Sequence, residues 1–253
     1  MSGANFKDHF SGVADAYAQA RPEYPGELFD TIAAVVPRDA HVWEPGCGSG
    51  QATRGLAARF AHVHATDPSE KQLAQHWAQP GTDTVSLAVE PGERTSLPDA
   101  SVQLIAVAQA LHWFDRSKFF PECQRVLAPG GVLAAWGYAD FIAPEGMVEP
   151  VEAFRSRIDP YWPPEREQID AHYAGYDWPF PALPAPELWL EAEWSLTHFL
   201  RYLSSMSAVA RCTADTGEDP VARYAPALAA AWGDADEART IRWPLFLHLR
   251  RKG

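Results

Sequence analysis

The chain has 253 residues, enough for one large domain or for one domain with an insertion. Its net charge of −12 comes from 33 acidic residues against 21 lysines and arginines, and an acidic surface repels phosphate backbones, so no nucleic-acid partner is expected. We expect a cytoplasmic protein, because the sequence shows no membrane span, no secretory leader, and three cysteines spaced too widely for a metal site or disulfide set.

The first half of the chain alternates predicted strands and helices at a regular pace. The strands are short and apolar, and the helices show apolar residues at helical spacing, with a capping sequence at Ser69. Strands separated by helices of about ten residues indicate parallel strands joined by right-handed crossovers. Strands are predicted over 40–45, 62–67, 84–89, 102–108 and 132–138, and helices over 51–60, 70–79 and 117–128.

The second half of the chain departs from this alternation. It begins with a stretch rich in proline and aromatic rings, and it ends in an apolar strand that contains Pro244. Because proline cannot donate to a strand ladder, we expect that last strand to be irregular or paired on one side near Pro244. The predicted segments are the proline-rich and ring-rich stretch 141–187, a strand over 187–194, helices over 195–211 and 224–232, and the closing strand over 239–251.

We interpret residues 1–253 as a single α/β domain built on a doubly wound, mostly parallel sheet of seven strands. In this interpretation residues 1–140 form a cofactor-binding core and 239–251 close the sheet. Residues 141–237 form an inserted helical cap that binds substrate and is interrupted by the strand 187–194.

The most informative segment is the E-P-G-C-G-S-G sequence at 44–50, where an apolar strand runs into a glycine-rich turn and then into a helix. Glycine lets the backbone turn sharply and approach a ligand, and Glu44 places a carboxylate at the end of the strand. A dinucleotide-binding G-x-G-x-x-G turn would need a third glycine where Gln51 or Thr53 stands. The turn therefore indicates a nucleotide-type cofactor without a pyrophosphate and counts against a nicotinamide-dependent oxidoreductase.

Three further strand ends carry polar residues, and the carboxyl ends of parallel strands meet at the edge of the sheet where ligands bind. Asp67 ends the second strand, where an acid can accept hydrogen bonds from both ribose hydroxyls. The polar loop 90–99 follows the third strand, and its backbone could contact an adenine edge. The fourth strand leads into the sequence 109–114. Asp67 could instead cap the next helix, and the loop 90–99 could be ordinary surface.

Five segments in this order resemble a known family. E-P-G-C-G-S-G, T-D-P-S, L-P-D-A-S, A-Q-A-L-H-W-F-D and L-A-P-G-G resemble the class I S-adenosylmethionine-dependent methyltransferases of the type 11 group, and most closely the branch similar to trans-aconitate methyltransferase. The resemblance covers residues 6–140, with fainter similarity in 17–25 and around Ser207 and Trp243-Pro244. It implies a Rossmann-like fold, S-adenosyl-L-methionine as cofactor and S-adenosyl-L-homocysteine as product.

The resemblance also implies roles for residues at matching positions. Glu44 and the glycine turn would hold the methionyl part of the cofactor and its ammonium group, and Asp67 would bind the ribose. The N-terminal segment with Tyr17 would close over the cofactor, and Arg21 could pair with the methionyl carboxylate or pack on the surface. The implied cofactor-binding residues are Tyr17, Arg21, Glu44, Gly46, Cys47, Gly48, Gly50, Asp67, Pro68, Gly92, Glu93, Gln109 and Ala110.

Other matching positions would surround the adenine and the sulfonium. Pro68 would flank the adenine, Gly92-Glu93 would match the loop that contacts it, and the backbone of Gln109-Ala110 would lie near the sulfonium end. Family members usually carry Ala-Glu at Gly92-Glu93, and they carry Asp where Gln103 stands. We expect the second difference to affect stability rather than chemistry.

His112, followed by Trp113, lies just past the fourth strand, and together they are the candidate catalytic residues. A neutral imidazole could take a proton from a hydroxyl, orient a carboxylate, or serve structure alone. Methyl transfer is an in-line displacement, which depends on positioning and on exclusion of water. The aromatic rings in 154–180 could cover the departing cationic charge, or they could form the core of the cap.

The residues directly after the fourth strand constrain the choice of substrate. They do not form the Asp/Asn-Pro-Pro-Tyr sequence that supplies acceptors for an amine or amide nitrogen, which argues against methylation of bases or protein amides. We therefore favour a small organic molecule methylated on oxygen, either a carboxylate or a hydroxyl. A sensor or pseudoenzyme that binds the cofactor without turnover is the alternative. The sequence predicts no metal and does not determine the oligomeric state.

Overall fold

The computed structural model of the chain describes residues 21–76 and 84–253. Tyr17 and the end of the helix predicted over 70–79 lie outside the described residues. In chain order the elements are α1 (Gly26–Ala33), β1 (His41–Pro45), α2 (Thr53–Ala57), β2 (His62–Thr66), α3 (Glu70–Ala74), β3 (Val85–Ala88), β4 (Val102–Ala108), a 3₁₀ turn (Leu111–Trp113), α4 (Arg116–Val126), β5 (Leu127–Tyr138), α5 (Val148–Ile158), a second 3₁₀ turn (Asp159–Tyr161), α6 (Arg166–Asp170), β6 (Ala182–Leu183), β7 (Leu188–Trp194), α7 (Leu196–Ser204), α8 (Ser207–Thr216), α9 (Pro220–Trp232) and β8 (Arg239–Arg251).

The strands form one sheet, and its first five strands are parallel. The order is β3-β2-β1-β4-β5-β8, and β8 pairs antiparallel with β5, with β7 and with the two-residue β6. This confirms the predicted doubly wound, mostly parallel α/β sheet. The strand order reverses between β1 and β4, so the tips of these two strands mark the edge at which such sheets bind ligands.

Both faces of the sheet are covered, as continuous apolar strands predict. On β4, Leu104 and Ala106 face one apolar cluster, while Ile105 and Val107 face the other, and all four are fully buried. The first cluster contains α1, α5 and α7 to α9, and the second contains α4 and α6 with Tyr173. The strand tips are therefore held rigidly from both sides.

Several predicted boundaries were wrong, and two of them have a clear local cause. The helix predicted over 195–211 is two helices, α7 and α8, because the Ser205 hydroxyl donates to the Tyr202 carbonyl at 2.6 Å and Met206 takes an extended conformation. β5 begins at Leu127 rather than at 132, and its pairing with β4 shifts register across Pro129-Gly130-Gly131. That sequence forms an irregularity within the strand instead of preceding it.

The prediction for Pro244 is confirmed. β8 pairs with β5 only from Leu245 onward, where Leu245 lies opposite Tyr138, while Pro244 lies opposite Trp189 of β7. The proline, which has no N–H to donate, thus stands one residue beyond the end of the β5 ladder.

Helix α2, which follows the glycine turn, packs on α1 through Gly55. A Cβ at Gly55 would overlap the buried ring of Phe29. We expect Gly55→Ala to lower the free energy of unfolding by about 1–3 kcal/mol, as overpacking does. Gly26→Ala is the matched control, because its added Cβ would meet only one terminal nitrogen of Arg59, at 3.3 Å, and we expect it to be neutral or stabilising by up to about 1 kcal/mol. Urea denaturation measures both, and equal effects would contradict the packing argument.

Candidate functional site

The glycine turn joins the tips of β1 and β2. The backbone N–H groups of Gly46 and Cys47 both donate to the Thr66 carbonyl, at 2.7 and 3.0 Å. Gly46, Gly48 and Gly50 all have positive φ, of 71°, 56° and 87°, a conformation that favours glycine. Gln51, which replaces the third glycine of a dinucleotide turn, donates through its side chain to the Pro22 carbonyl. The turn is thereby tied to the segment that contains Arg21.

Glu44, at the end of β1, is a buried carboxylate. It is 1% exposed, and neither of its side-chain oxygens has a hydrogen-bond partner among the described residues. Burial raises the pKa of Glu44 to about 8, and the negative charge of Asp67 adds to the shift. The nearby Thr53 hydroxyl opposes the shift, although its hydrogen bond is with His76. An unpaired buried carboxylate is unfavourable, so this position suits a ligand that brings a cation or several donors.

Asp67 lies beside the glycine turn at the end of β2 and is 8% exposed. Its carboxylate accepts from the Gly48 N–H at 3.0 Å and from the Ser69 N–H at 2.8 Å. The capping role at α3 belongs to Ser69, whose hydroxyl accepts from the Gln72 N–H. Asp67 therefore fixes the turn, and Pro68, partly exposed, follows it directly.

Phe114, which sequence reasoning did not include in the site, lies between the glycine turn and the loop after β3. A Cβ on Gly46 would come within 3.1 Å of the Phe114 ring and 2.9 Å of the Ala110 Cβ, and a Cβ on Gly92 would come within 2.9 Å of the same ring. The Glu93 carboxylate accepts from the Asp115 N–H at 2.8 Å. The Glu93 carboxylate therefore already has a partner within the protein.

Gln109 connects the tips of β4 and β5. Its side-chain amide donates to the Tyr138 carbonyl and accepts from the Tyr138 N–H, both at 2.9 Å, and its own φ is 50°. A Cβ at Gly137 would lie 2.5 Å from the Gln109 amide oxygen, so glycine is required there. The two hydrogen bonds hold the backbone that leads into Ala110 and His112.

His112 lies on the 3₁₀ turn after β4, and its ring centroid is 4.7 Å from that of Trp113. Its Nδ1 lies 3.2 Å from the hydroxyl of Tyr173, which reaches it from the cap. Burial, together with the positive charge of Arg166, lowers the pKa of His112 to about 3. The imidazole is therefore neutral throughout the physiological pH range.

A cavity opens between the tip of β4 and the cap. His112, Trp113 and Gln109 line it from the sheet, and Arg166 and Trp162 line it from the cap. Sequence reasoning missed most of the cap side, because nothing in the pattern of 141–237 marks which residues face inward. The remaining lining residues are Arg21, Tyr138, Ala139, Asp140, Pro163, Ile169, Tyr202, Met206 and Ser207.

The aromatic rings in 154–180 are divided between the cavity and the core. Trp162 lines the cavity, and Tyr173 contacts His112, but Phe154 is fully buried away from the cavity lining. Trp178 packs on Phe120 at a centroid distance of 5.9 Å. The rings as a group are thus mainly the core of the insertion, and the described rings of that group reach the site at two points.

Gln103 stands where members of the resembled family carry Asp. Its side chain accepts a hydrogen bond from the His41 N–H at 2.8 Å. This bond joins the starts of β1 and β4, at the opposite end of the strands from the cavity.

Within residues 21–76 and 84–253, no group of three His, Cys, Asp or Glu residues could hold a metal ion. No helix in those ranges is long and apolar enough to cross a membrane.

The raised pKa of Glu44 makes the free energy of unfolding decrease as pH rises. Between about pH 5 and pH 8 the carboxyl is protonated in the folded state and ionised in the unfolded state, so stability is lost as pH rises. Glu44→Gln removes this loss. We expect the variant to gain stability relative to the wild type as pH is raised from about 5 to about 8, measured by urea denaturation of ligand-free protein.

The control for this experiment is Glu122→Gln. Hydrogen bonds and charge from Arg125, 2.7 Å away, lower the pKa of Glu122, so its contribution is present at high pH and is lost as pH falls. We expect Glu122→Gln to be less stable than the wild type at pH 8. A Glu44→Gln difference that is constant across pH would contradict the buried, unpaired carboxylate.

Comparison with known proteins identifies the family. The family described as "Methyltransferase domain" matches residues 43–135. A Dictyostelium discoideum protein assigned as a methyltransferase is 30% identical over 256 residues, covering 98% of this chain and 96% of that protein. An uncharacterised methyltransferase of Mycobacterium tuberculosis is 38% identical over 133 residues, 52% of this chain and 53% of that protein.

A solved structure agrees with this similarity over nearly the whole chain. A protein from Anaeromyxobacter dehalogenans, assigned as a type II methyltransferase, has a TM-score of 0.84 and 41% sequence identity, and the match covers 91% of this chain and 97% of that one. The chain therefore belongs to the methyltransferase-domain family and is a class I methyltransferase that uses S-adenosylmethionine as its methyl donor.

Proposed function

We propose that the protein methylates an oxygen atom of a small organic molecule bound in the cavity between the tip of β4 and the cap. The observation that carries this proposal is the adjacency of two sites. Ala110, whose Cβ would contact any side chain at Gly46, precedes His112, which lines the cavity. The cofactor turn and the cavity thus share one short segment, 109–113, as transfer between two ligands requires.

The residues present fit S-adenosylmethionine. The buried carboxylate of Glu44, which has no hydrogen-bond partner among the described residues, is suited to an ammonium group. Among the same residues, a Cβ at Gly48 would have one neighbour within 4 Å, the Gln72 side chain at 3.9 Å, so there is space above the turn. Asp67 would bind the ribose, and Arg21 would pair with the methionyl carboxylate. Tyr17 would cover the cofactor. Pro68, Gly92, Glu93, Gln109 and Ala110 would surround the remainder, with Gly46, Cys47 and Gly50 in the turn.

When bound, S-adenosylmethionine supplies a methyl group activated by a sulfonium. The chain must then hold the accepting oxygen in line and keep water out. Gln109 fixes the backbone beside the cavity, Trp113 and Trp162 supply apolar walls, and His112 contacts the accepting group. A carboxylate acceptor needs no proton transfer, whereas a hydroxyl acceptor must release its proton when the methyl group is transferred.

His112 fits a role as a neutral hydrogen-bond partner. A group whose pKa is lowered to about 3 is too weakly basic to deprotonate a hydroxyl near neutral pH. When the Tyr173 hydroxyl donates to Nδ1, Nε2 carries the ring proton and can donate to an oxygen of the substrate. His112 would then orient the accepting oxygen rather than activate it.

A sensor that binds the cofactor without turnover is less favoured. A sensor has no need of a second cavity beside the methyl donor, and the relatives are methyltransferases. Cys47, Cys123 and Cys212 are all buried thiols, which supports the proposal of a reducing, cytoplasmic location.

The cofactor site is tested by S-adenosylhomocysteine binding, measured by isothermal titration calorimetry. We expect the wild type to bind it and Glu44→Gln to bind about tenfold to a hundredfold more weakly, because a hydrogen bond to a charged group is lost. Glu187→Gln, an exposed position on the approach to β7, is the control and should leave affinity unchanged. Equal affinity for all three proteins would remove Glu44 from the site.

The role of His112 is tested by comparing His112→Ala with His112→Asn. We expect the alanine variant to lose about tenfold to a hundredfold in turnover and to keep its affinity for S-adenosylhomocysteine, while asparagine, which still donates a hydrogen bond, recovers part of the rate. The wild-type rate should also show no titration of His112 between about pH 5 and pH 8. A full-rate alanine variant would make His112 structural, and a rate that falls with protonation near pH 6.5 would make it a base.

A further inference from the structure

We infer that Tyr173, in the cap, is a positioning residue for methyl transfer: its hydroxyl fixes the neutral His112 ring in the tautomer that carries the proton on Nε2 and presents this N–H to the cavity. The inference rests on the proposed function, in which His112 orients the accepting oxygen of the substrate. It extends that function by making the state of His112 depend on a residue 61 positions further along the chain.

The Tyr173 hydroxyl is sealed from water. The residue is 0% exposed, and burial raises the pKa of Tyr173, so the hydroxyl keeps its proton near pH 7. Among the described residues, the acceptor within reach of this proton is Nδ1 of His112, 3.2 Å from the Tyr173 oxygen. The backbone N–H groups of Leu111 and His112 are also directed at this oxygen, but they are donors. Because a buried O–H needs an acceptor, the Tyr173 hydroxyl donates to Nδ1.

This hydrogen bond decides which nitrogen of His112 is protonated. A neutral imidazole carries one proton, and the nitrogen that accepts a hydrogen bond is the one without it. Nδ1 is therefore the acceptor and Nε2 carries the proton. Nε2 has no partner among the described residues and keeps some solvent access, and His112 lines the cavity, so this N–H is open to a ligand there. In the other tautomer Nε2 would offer a lone pair, which repels a substrate oxygen instead of holding it.

The backbone that carries Tyr173 is held in an unfavourable conformation. His172 and Tyr173 have φ of 49° and 56°, in the left-handed region that residues other than glycine rarely adopt. The Tyr173 N–H donates to the Gln168 carbonyl of α6 at 2.9 Å, and the His172 carbonyl accepts from Nε2 of His248, on β8, at 2.8 Å. Strain of this kind persists only where the surrounding structure imposes it, and it is concentrated at functional sites. The position of the phenol is thus imposed by α6 and β8 together.

The Tyr173 ring is packed as firmly as its backbone. It stacks on the Tyr176 ring at a centroid distance of 5.0 Å and meets the Phe246 ring of β8 edge-on at 5.1 Å. The hydroxyl of Tyr176 has a different partner, because it donates to the side-chain oxygen of Gln168. Two tyrosines of one aromatic stack therefore differ in whether the hydroxyl reaches His112, and Tyr176→Phe is the matched control for Tyr173→Phe.

The state of the His112 ring is tested by ¹⁵N NMR of protein labelled in its histidine side chains, with His112→Ala identifying the His112 signals by their absence. In the wild type and in Tyr176→Phe we expect a protonated Nε2 and an unprotonated Nδ1 that accepts a hydrogen bond. In Tyr173→Phe the Nδ1 signal should move to that of a nitrogen without a donor, or divide between the two tautomers. A protonated Nδ1 in the wild type, or an Nδ1 signal that does not move in Tyr173→Phe, would overturn the inference.

The contribution to the reaction is tested by the initial rate of methyl transfer from methyl-labelled S-adenosylmethionine into a cell extract freed of macromolecules. We expect Tyr173→Phe to lower the rate about fivefold to fiftyfold, because His112 loses the bond that fixes its tautomer, and Tyr176→Phe to change it by less than about twofold. All variants should bind S-adenosylhomocysteine as the wild type does, which shows that they fold. In the His112→Ala background, Tyr173→Phe should change the rate by less than about twofold, because Tyr173 acts through His112.

The possible failures are distinguishable. A loss of rate in Tyr173→Phe that is the same with His112 and with alanine at position 112 would mean that Tyr173 supports the cap rather than His112, and would overturn the inference while leaving the methyltransferase function intact. A full-rate Tyr173→Phe variant would do the same. No transfer by the wild type, with S-adenosylhomocysteine still binding, would overturn the proposed function and with it the role of Tyr173 in the reaction. The wild type alone thus tests the proposed function, and the variants test this inference.

Discussion

A carboxyl group buried at the tip of β1, with no hydrogen-bond partner in the part of the chain that the structure describes, is the feature on which the rest of the site depends. Glu44 is placed there by a strand whose other side chains are in the core, so it cannot turn to solvent without unpacking the sheet. Its ionisation is unfavourable until a cationic ligand arrives. A cofactor that brought an ammonium group to this position would therefore favour the ionised form of the Glu44 carboxyl.

The strand tips next to Glu44 are packed closely against one another. Gly46 lies against Ala110 and Phe114, and Gly92 lies against the same Phe114 ring, so the tips of β1, β3 and β4 are in mutual contact. Asp67 fastens the tip of β2 to the glycine turn. Because these contacts leave no room for a Cβ at Gly46 or Gly92, the shape of this part of the surface is set by close packing of the backbone against Ala110 and Phe114.

The first half of the chain could be predicted well because its signals are local. Continuous apolar runs bounded by turn residues located the strands, and the position of Glu44 and Asp67 at strand ends followed from the fact that parallel strands end at one edge. Helix boundaries were less accurate, since a hydroxyl such as that of Ser205 can end a helix without altering the apolar spacing. No sequence pattern predicted the hydrogen bonds of the Gln109 side chain, because they depend on which strand lies beside β4.

The sequence by itself determined the fold class, the glycine turn and the methyl donor, since each rests on residues that are close together in the chain or at the ends of regular elements. Only the tertiary structure decided which residues of the second half face the segment after β4. Tyr173 meets His112 across 61 positions, and Arg166 reaches the same cavity from a helix of five residues. Such pairings follow from how the cap packs on the sheet, and that packing depends on shape and burial over the whole insertion rather than on any periodic pattern.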